Sequence, residues 1–332
     1  MATIRPFRAI RPNPLFAQQL IGTAKDSLIC SGTLQPLKTQ LETIARQRPE
    51  TEAGQQVAYD KIKKRLQTLI TEERLWREEK PGIYVYESVK GNLRQTGIWA
   101  QTLLSDFTEG RIKTHERTLH DNVRRQKNYR EHTGLEGNPV VLAYPPDVLI
   151  NRIIADTKAG CSRSSVGNRF GFHRLWKIEQ EETLELLVAA FGRVPMVYLA
   201  DGHHRLESAS VLATEQESSG RKVFGTISSL YLSTDQLKIR EFDRVVLPDP
   251  PIKKESLFDQ LRCHFHLREA TGNRPVRPEG QHNLGMYAQG TWYHLLAKEP
   301  EGYCPHDCNC IGAVILQEKV LGPVQIYQGI GC

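Results

Sequence analysis

The sequence predicts an α/β (α+β) fold, a mixed sheet with packed helices, and three observations lead to that class. The first is the stretch 194–214, VPMVYLADGHHRLESASVLAT, which writes a strand, a tight turn and a helix. Met196–Ala200 is a short apolar run that reads as a buried strand and stops at Asp201-Gly202. Beyond the turn, Leu206, Ala209, Val211, Leu212 and Ala213 follow helical spacing, with Asp201 as the expected N-cap. The second is a set of short runs with strand patterning bounded by turn residues, such as GIYVYESV at 82–89. The third is a long charged segment, 51–77, with Val57, Ile62, Leu66, Leu69 and Ile70 on one side, as in a packing helix.

Taken in order, Ile4–Ile10 alternates apolar residues with Arg and Pro and reads as a first strand. Arg5, Arg8 and Arg11 make it either an exposed edge or an anion-contacting strand. Helices are expected over 34–48, ended by Arg48-Pro49, and over 51–77. Gly82–Val89 and Arg94–Ala100 form a hairpin across Lys90–Leu93, with Gly-Asn in its turn, and a short helix follows at 102–107. Residues 139–144 read as a buried strand and 146–155 as a helix. Residues 160–171, GCSRSSVGNRFG, read as a flexible connection, with a phosphate-contacting loop as the alternative; without GK[ST] they are no Walker A loop. A strand at 172–178 and a helix at 181–191 lead into the central strand. Strands at 223–233 and 242–246 follow. The proline-rich run 247–251 is the best boundary, dividing 1–247, an α/β core, from 248–332, a smaller α+β portion. In that portion a helix is expected at 255–265, a strand at 266–270, a hairpin across Gln289-Gly290 and a closing helix at 314–320.

Composition narrows the class. The chain has 332 residues, 39% apolar and 25% charged, ordinary values for a globular protein. A net charge of +6 suits acidic small molecules and argues for no nucleic-acid partner. No apolar run approaches the ~18 residues of a membrane span, so no membrane partner is expected. The N-terminus has no apolar core of a signal peptide, and seven cysteines do not make a secreted disulfide framework, so a cytoplasmic location is expected.

The chemistry concentrates at Asp201, Gly202, His203, His204 and Arg205. The first turn of a helix offers backbone N–H groups and the positive end of its dipole, where phosphates bind. Two imidazoles and a guanidinium add matching donors, Arg in bidentate fashion. Asp201 can hold magnesium beside a phosphate or accept a proton. The plain alternative is a capped turn with surface histidines. Upstream, 111–130 carries seven Lys or Arg and two acidic residues, which read as a solvated basic helix or as a second wall of the site. In that second case Arg124 or Arg125 helps neutralise a polyphosphate. His115 and His120 are five apart, which sets them ~140° apart on a helix, so a zinc-peptidase pair is rejected. Cys304, His306, Cys308 and Cys310 lack paired CxxC knuckles, and a zinc site there is not expected.

Three motifs together carry a resemblance. Ala200–Arg205 (ADGHHR), His115–Thr118 (HERT) and His173–Trp176 (HRLW), with IRPFRAIRP at the start and FDRVV at 242–246, resemble the domain-of-unknown-function-1015 family. The resemblance covers most of the chain. It implies that His115, Glu116, Arg117 and Thr118 face the Asp201–Arg205 turn, and it matches His173 to a family histidine. Residues 13–23, NPLFAQQLIGT, depart from the family's Pro-Pro-Tyr-Asp-like segment, and Asp243-Arg244 departs from its Asn-Arg. The family's members continue beyond the position of Cys332, so this sequence reads as a shortened form. The DGHHR turn is also similar to the phosphate-binding turn of the ParB and sulfiredoxin superfamily, which includes free-serine kinases. That similarity implies a ParB-like core. It further implies ATP or ADP with magnesium, the latter on Asp201. Catalytic roles fall to Asp201, His203 and His204, and nucleotide-binding roles to Gly202, Arg205, His115, Glu116, Arg117, Thr118 and Arg5.

The function expected is a nucleotide-dependent phosphotransferase acting on a small metabolite such as a free amino acid, serine for example. The alternative is a non-catalytic nucleotide- or phosphate-binding regulatory module. A ParB-like partition role needs a helix-turn-helix that no segment announces. Metal-dependent hydrolysis lacks a third ligand near the histidine pair.

Overall fold

The computed structural model describes residues 2–20, 37, 41, 44, 52–115, 118, 120–136, 138–161, 164–168, 171–221, 224–237, 245–248, 254–272, 274–280, 282–298, 312–321 and 326–329. Most of the expected helix 34–48, Glu116, Arg117 and the cluster from Cys304 to Cys310 lie outside these residues. The chain divides into two compact units, Met1–Leu237 and Lys238–Cys332, and the proline-rich run 247–251 falls within the second.

The first unit is built on a nine-stranded mixed sheet. In chain order its strands are β1 (Ile4–Arg5), β4 (Ile83–Lys90), β5 (Leu93–Leu103), β6 (Ile112–Lys113), β7 (Val140–Tyr144), β8 (Ser164–Asn168), β9 (Gly171–Ile178), β10 (Val197–Asp201) and β11 (Thr226–Ser233). Two further strands, β2 (Ile10–Pro12) and β3 (Leu75–Arg77), pair with each other alone. The main order is β6-β10-β7-β11-β5-β4-β9-β8, with β1 paired to β5. β10 runs parallel to β6 and antiparallel to β7, while β11 is parallel to β7 and antiparallel to β5.

The helices are α1 (Ala17–Leu20), α2 (Glu52–Thr71), α3 (Ser105–Thr108), α4 (His120–Thr133), α5 (Val148–Ala159), α6 (Glu181–Gly192) and α7 (His203–Ser218). One sheet face carries Ile83, Val85, Ile98, Ala100, Leu142, Tyr144 and Tyr231, and these share a core with Ile150, Ile153, Leu187 and Phe191 of α5 and α6 and with Leu206 and Ala209 of α7. Phe191 makes edge contacts with Tyr144 at 5.2 Å and Tyr231 at 4.9 Å, so a single aromatic joins α6 to two strands. Asp147 caps α5, its Oδ1 accepting from Ile150 N at 2.9 Å.

Several expectations change in detail. The expected flexible connection at 160–171 contains β8, paired antiparallel with β9; neighbouring β9 supplies the ladder that Ser, Gly and Asn do not advertise. The helix expected over 51–77 ends at Thr71, and its last residues form β3. Val57 is 54% exposed and leaves the apolar stripe, whereas Ile62 and Leu69 are fully buried. The β4–β5 hairpin turns at Gly91-Asn92 as read, but β5 runs on to Leu103, delaying the short helix to 105–108.

In the second unit, α8 (Lys254–His264) leads into an antiparallel sheet of order β13-β15-β14, with β13 Phe265–Glu269, β14 Asn283–Ala288 and β15 Thr291–Ala297. The β14–β15 turn is Gln289-Gly290 as expected, both with positive φ, which matches the twist of a tight hairpin. A separate pair joins β12 (Val245–Pro248) to β16 (Ile326–Gly329). Leu261, Phe265, Leu295, Ala297 and Val320 form the unit's own core, Val320 within a π-helical segment, Leu316–Leu321, that follows α9 (Gly312–Ile315).

Candidate functional site

The turn between β10 and α7 gathers the residues that the sequence singles out. β10 begins one residue later than expected and is half-buried: Val197 and Leu199 face the core, while Met196 and Tyr198 are 39% and 47% exposed. Period-2 alternation explains this, because only one face of this strand is covered. Asp201 is the last residue of the strand and does not cap the helix. The N-cap is Gly202, at φ 101° and ψ 30°, with no side-chain cap. A left-handed backbone at this point suits glycine alone, and a Cβ here would stand 2.9 Å from Val140 Cγ1 and 2.9 Å from Arg205 Nη2. The glycine therefore reverses the chain and leaves the cap position bare of any side chain.

Arg205 takes a different part from the one the sequence suggests. Its Nη1 donates to the carbonyl oxygens of Asn138 at 2.8 Å and Pro139 at 3.1 Å, and its Nη2 donates to Asp201 Oδ2. The planar fork therefore ties α7 to the start of β7 and holds Asp201 beside it. The Asp201 carboxylate remains 69% exposed. His203 is buried, at 7% exposure, and His204 is half-buried.

The upstream motif comes to the same place. The exposed His115 ring meets His203 edge to face, with centroids 4.5 Å apart and planes at 88°. Thr118 Oγ1 donates to Glu207 Oε2, one helical turn into α7. The route is set by β6, which runs parallel to β10 and delivers the chain past the turn. Lys127 of α4 then pairs with Glu215 of α7 at 2.8 Å, fastening the two helices. Arg124 and Arg125 bond to Asp121 and Asn122 of their own helix.

The predicted site residue Arg5 and the motif histidine His173 lie elsewhere. Arg5 stands on β1, four strand steps from β10 by way of β5, β11 and β7. At about 4.8 Å per step that is roughly 19 Å. His173 stands on β9, five steps from β10, where its Nδ1 is 2.7 Å from the Tyr86 hydroxyl. Burial holds its pKa below the usual histidine range. Among the described residues no group of three or more His, Cys, Asp or Glu is placed to hold a metal ion.

One polar centre was missed by the sequence reading. The Glu87 carboxylate on β4 is fully buried and meets Lys158, Arg94 at 3.2 Å and Arg174 at 3.5 Å. Burial raises its pKa, but the Lys158 hydrogen bond and the three positive charges outweigh that and hold it below the usual carboxylate range. A cavity of about 640 Å³ opens beside it, lined by Arg94, Lys158, Tyr144 and Asp235. The available signal was the alternation of Glu87 with Ile83 and Val85, which puts it on the inward face.

Comparison with known families identifies the chain. The model of a family described as Protein of unknown function (DUF1015) matches residues 4–320. The chain belongs to the domain-of-unknown-function-1015 family. The match spans both units, so the second is part of the family's pattern and not an unrelated addition. None of the curated proteins and none of the solved structures compared matches the chain. In this family member, ADGHHR forms the end of β10 and the start of α7, and HERT approaches it through His115 and Thr118. The histidine of HRLW belongs to a different part of the sheet. Among the described residues no helix is long and apolar enough to cross a membrane.

Proposed function

We propose that this protein is a nucleotide-dependent phosphotransferase acting on a small metabolite, with a free amino acid such as serine as the leading acceptor. One observation carries the reading. A sixteen-residue helix begins at a left-handed glycine with no side-chain cap, directly against a pair of histidines from two motifs. The place that a capping oxygen normally fills is where a phosphate oxygen takes its hydrogen bonds. The similarity of the DGHHR turn to that of the ParB and sulfiredoxin superfamily supports the same assignment.

In this reading the first turn of α7 and His204 bind the phosphates of ATP or ADP. His115 and Thr118 form the facing wall. Asp201 has one oxygen engaged by Arg205 and a largely exposed carboxylate, so it suits a magnesium ion that keeps most of its waters. The metal would neutralise phosphate charge, and the chain's own groups would position and polarise the phosphoryl group, which is most of what phosphoryl transfer requires. A cytoplasmic location is proposed with it.

A second reading, a regulatory module that binds nucleotide without transferring phosphate, is favoured by Arg205. With both ends of its fork engaged inside the chain, it supplies no mobile charge to a transition state. The test is incubation of the full chain with Mg-ATP or Mg-ADP and free serine, followed by phosphorus NMR. Phosphoserine with consumption of nucleotide supports the transferase. Nucleotide binding without a new phosphoester supports the module, and neither outcome retires both.

A further inference from the structure

The cavity of about 640 Å³ beside Glu87 opens where the parallel strands β7 and β11 end, at Tyr144 and Ser233. The crevice outside the carboxyl ends of such strands is where open α/β sheets take their ligands. α5 closes one side with Ile154, Ala155 and Lys158, which share a helix face. The β10–α7 turn lies at the other end of β7, against Asn138 and Pro139, so the two sites are distinct.

Charges of opposite sign line this cavity without pairing to each other. Arg94 gives one guanidinium nitrogen to Glu87 at 3.2 Å. Its other nitrogens bond to no described residue, and its side chain is 60% exposed. Lys158 joins the same Glu87 and reaches Thr96 Oγ1 at 3.3 Å. Arg174 brings the cations around that one carboxylate to three, so positive charge stays in excess at this corner. Asp235, exposed in the turn after β11, forms no ion pair among the described residues. The β5–β11 ladder keeps it close to the start of β5: Leu232 pairs with Gly97, and Gln95 Nε2 donates to Gln236 O at 3.1 Å. Tyr144 lines the cavity as well. Burial raises the pKa of its phenol, and the carboxylates of Asp235 and Asp147 raise it further, so it remains neutral.

This arrangement discriminates by charge. A plain acid suits Arg94 and leaves Asp235 unanswered; a plain amine does the reverse. A zwitterion answers both, each end through a charge-assisted hydrogen bond. The apolar flank of Ile154 and Ala155 suits an aliphatic side chain. We propose that this cavity binds an aliphatic α-amino acid as its zwitterion, with the carboxylate on Arg94 and the ammonium on Asp235. The site stands whether or not the β10–α7 turn holds a nucleotide.

The probe is L-leucine, titrated calorimetrically into the full chain without nucleotide. Two analogues are titrated beside it: 4-methylpentanoate, which lacks the ammonium, and 3-methylbutylamine, which lacks the carboxylate. The expected result is saturable binding of leucine with a rise in melting temperature, and at least tenfold weaker binding of each analogue. Asp235→Asn removes an exposed, unpaired carboxylate and should keep the fold while weakening leucine at least tenfold. Arg94→Gln should weaken it by as much. The comparison of the three compounds on the unsubstituted chain decides the matter even where a variant fails to fold. No saturable binding at millimolar leucine, an analogue that binds as tightly as leucine, or a folded Asp235→Asn protein with unchanged affinity would each overturn the proposal.

Discussion

At the scale of residues, Arg205 and Gly202 make the turn. Arg205 bridges α7 to the carbonyl oxygens that open β7, while its pair with Asp201 adds little because that carboxylate is 69% exposed. Arg205→Ala should therefore lower unfolding free energy by about 1.5–3 kcal/mol, the usual worth of hydrogen bonds from a charged donor. Urea denaturation reads this directly, and an unchanged midpoint would show that the bridge is idle. Arg205→Lys should recover only part, since lysine keeps the charge and loses the fork. Gly202→Ala forces a side chain into the left-handed region and against Val140 Cγ1 at 2.9 Å. The backbone term alone is about 1–2 kcal/mol, and the clash adds to it. The same melt should show Gly202→Ala as less stable than Ala substitutions at exposed positions of α7, such as Val211→Ala, which sits at 37% exposure.

At the scale of elements, Glu87 links β4 to α5 through Lys158 and to β5 and β9 through Arg94 and Arg174. Its folded pKa lies below the unfolded value, so its contribution is full above the unfolded carboxylate pKa of about 4.3 and fades as pH falls through the folded value. Glu78 behaves in the same direction: burial raises its pKa, and Arg11 and Lys177 more than reverse that. The chain should thus lose stability on acidification below about pH 4 to 5. Glu87→Gln should be less stable at pH 7 by roughly 1.5–3 kcal/mol and show a shallower slope between about pH 5 and 3. Stability curves against pH for the two proteins test it; parallel slopes would remove Glu87 from the account.

At the scale of the whole molecule, what the sequence reveals is local and what it hides is lateral. The strand–turn–helix around Gly202 and the hairpins at Gly91-Asn92 and Gln289-Gly290 are legible because turn chemistry and periodicity act within a few residues. β8 is hidden because its Ser, Gly and Asn residues pair only by courtesy of β9. The role of Arg205 is hidden because its carbonyl partners come from residues 138 and 139, brought alongside by strand order. The approach of His115 to His203 follows from family motifs, but the separation of Arg5 and His173 from them needs the order β10-β7-β11-β5-β4-β9. Strand order is set by packing across the whole sheet and leaves no mark in any single segment.

The central claim is that the β10–α7 turn holds a phosphate of a nucleotide. Its most direct test is calorimetric titration of Mg-ATP and Mg-ADP into the full chain and into a His204→Ala variant, each with a melting curve. His204 is half-buried on the first turn of α7, so the variant should keep its fold. The account predicts binding of at least one nucleotide by the unsubstituted chain and a loss of about tenfold or more in the variant, the worth of a charge-assisted or directed phosphate contact. No binding by the unsubstituted chain, or equal affinity in a folded His204→Ala protein, would contradict it.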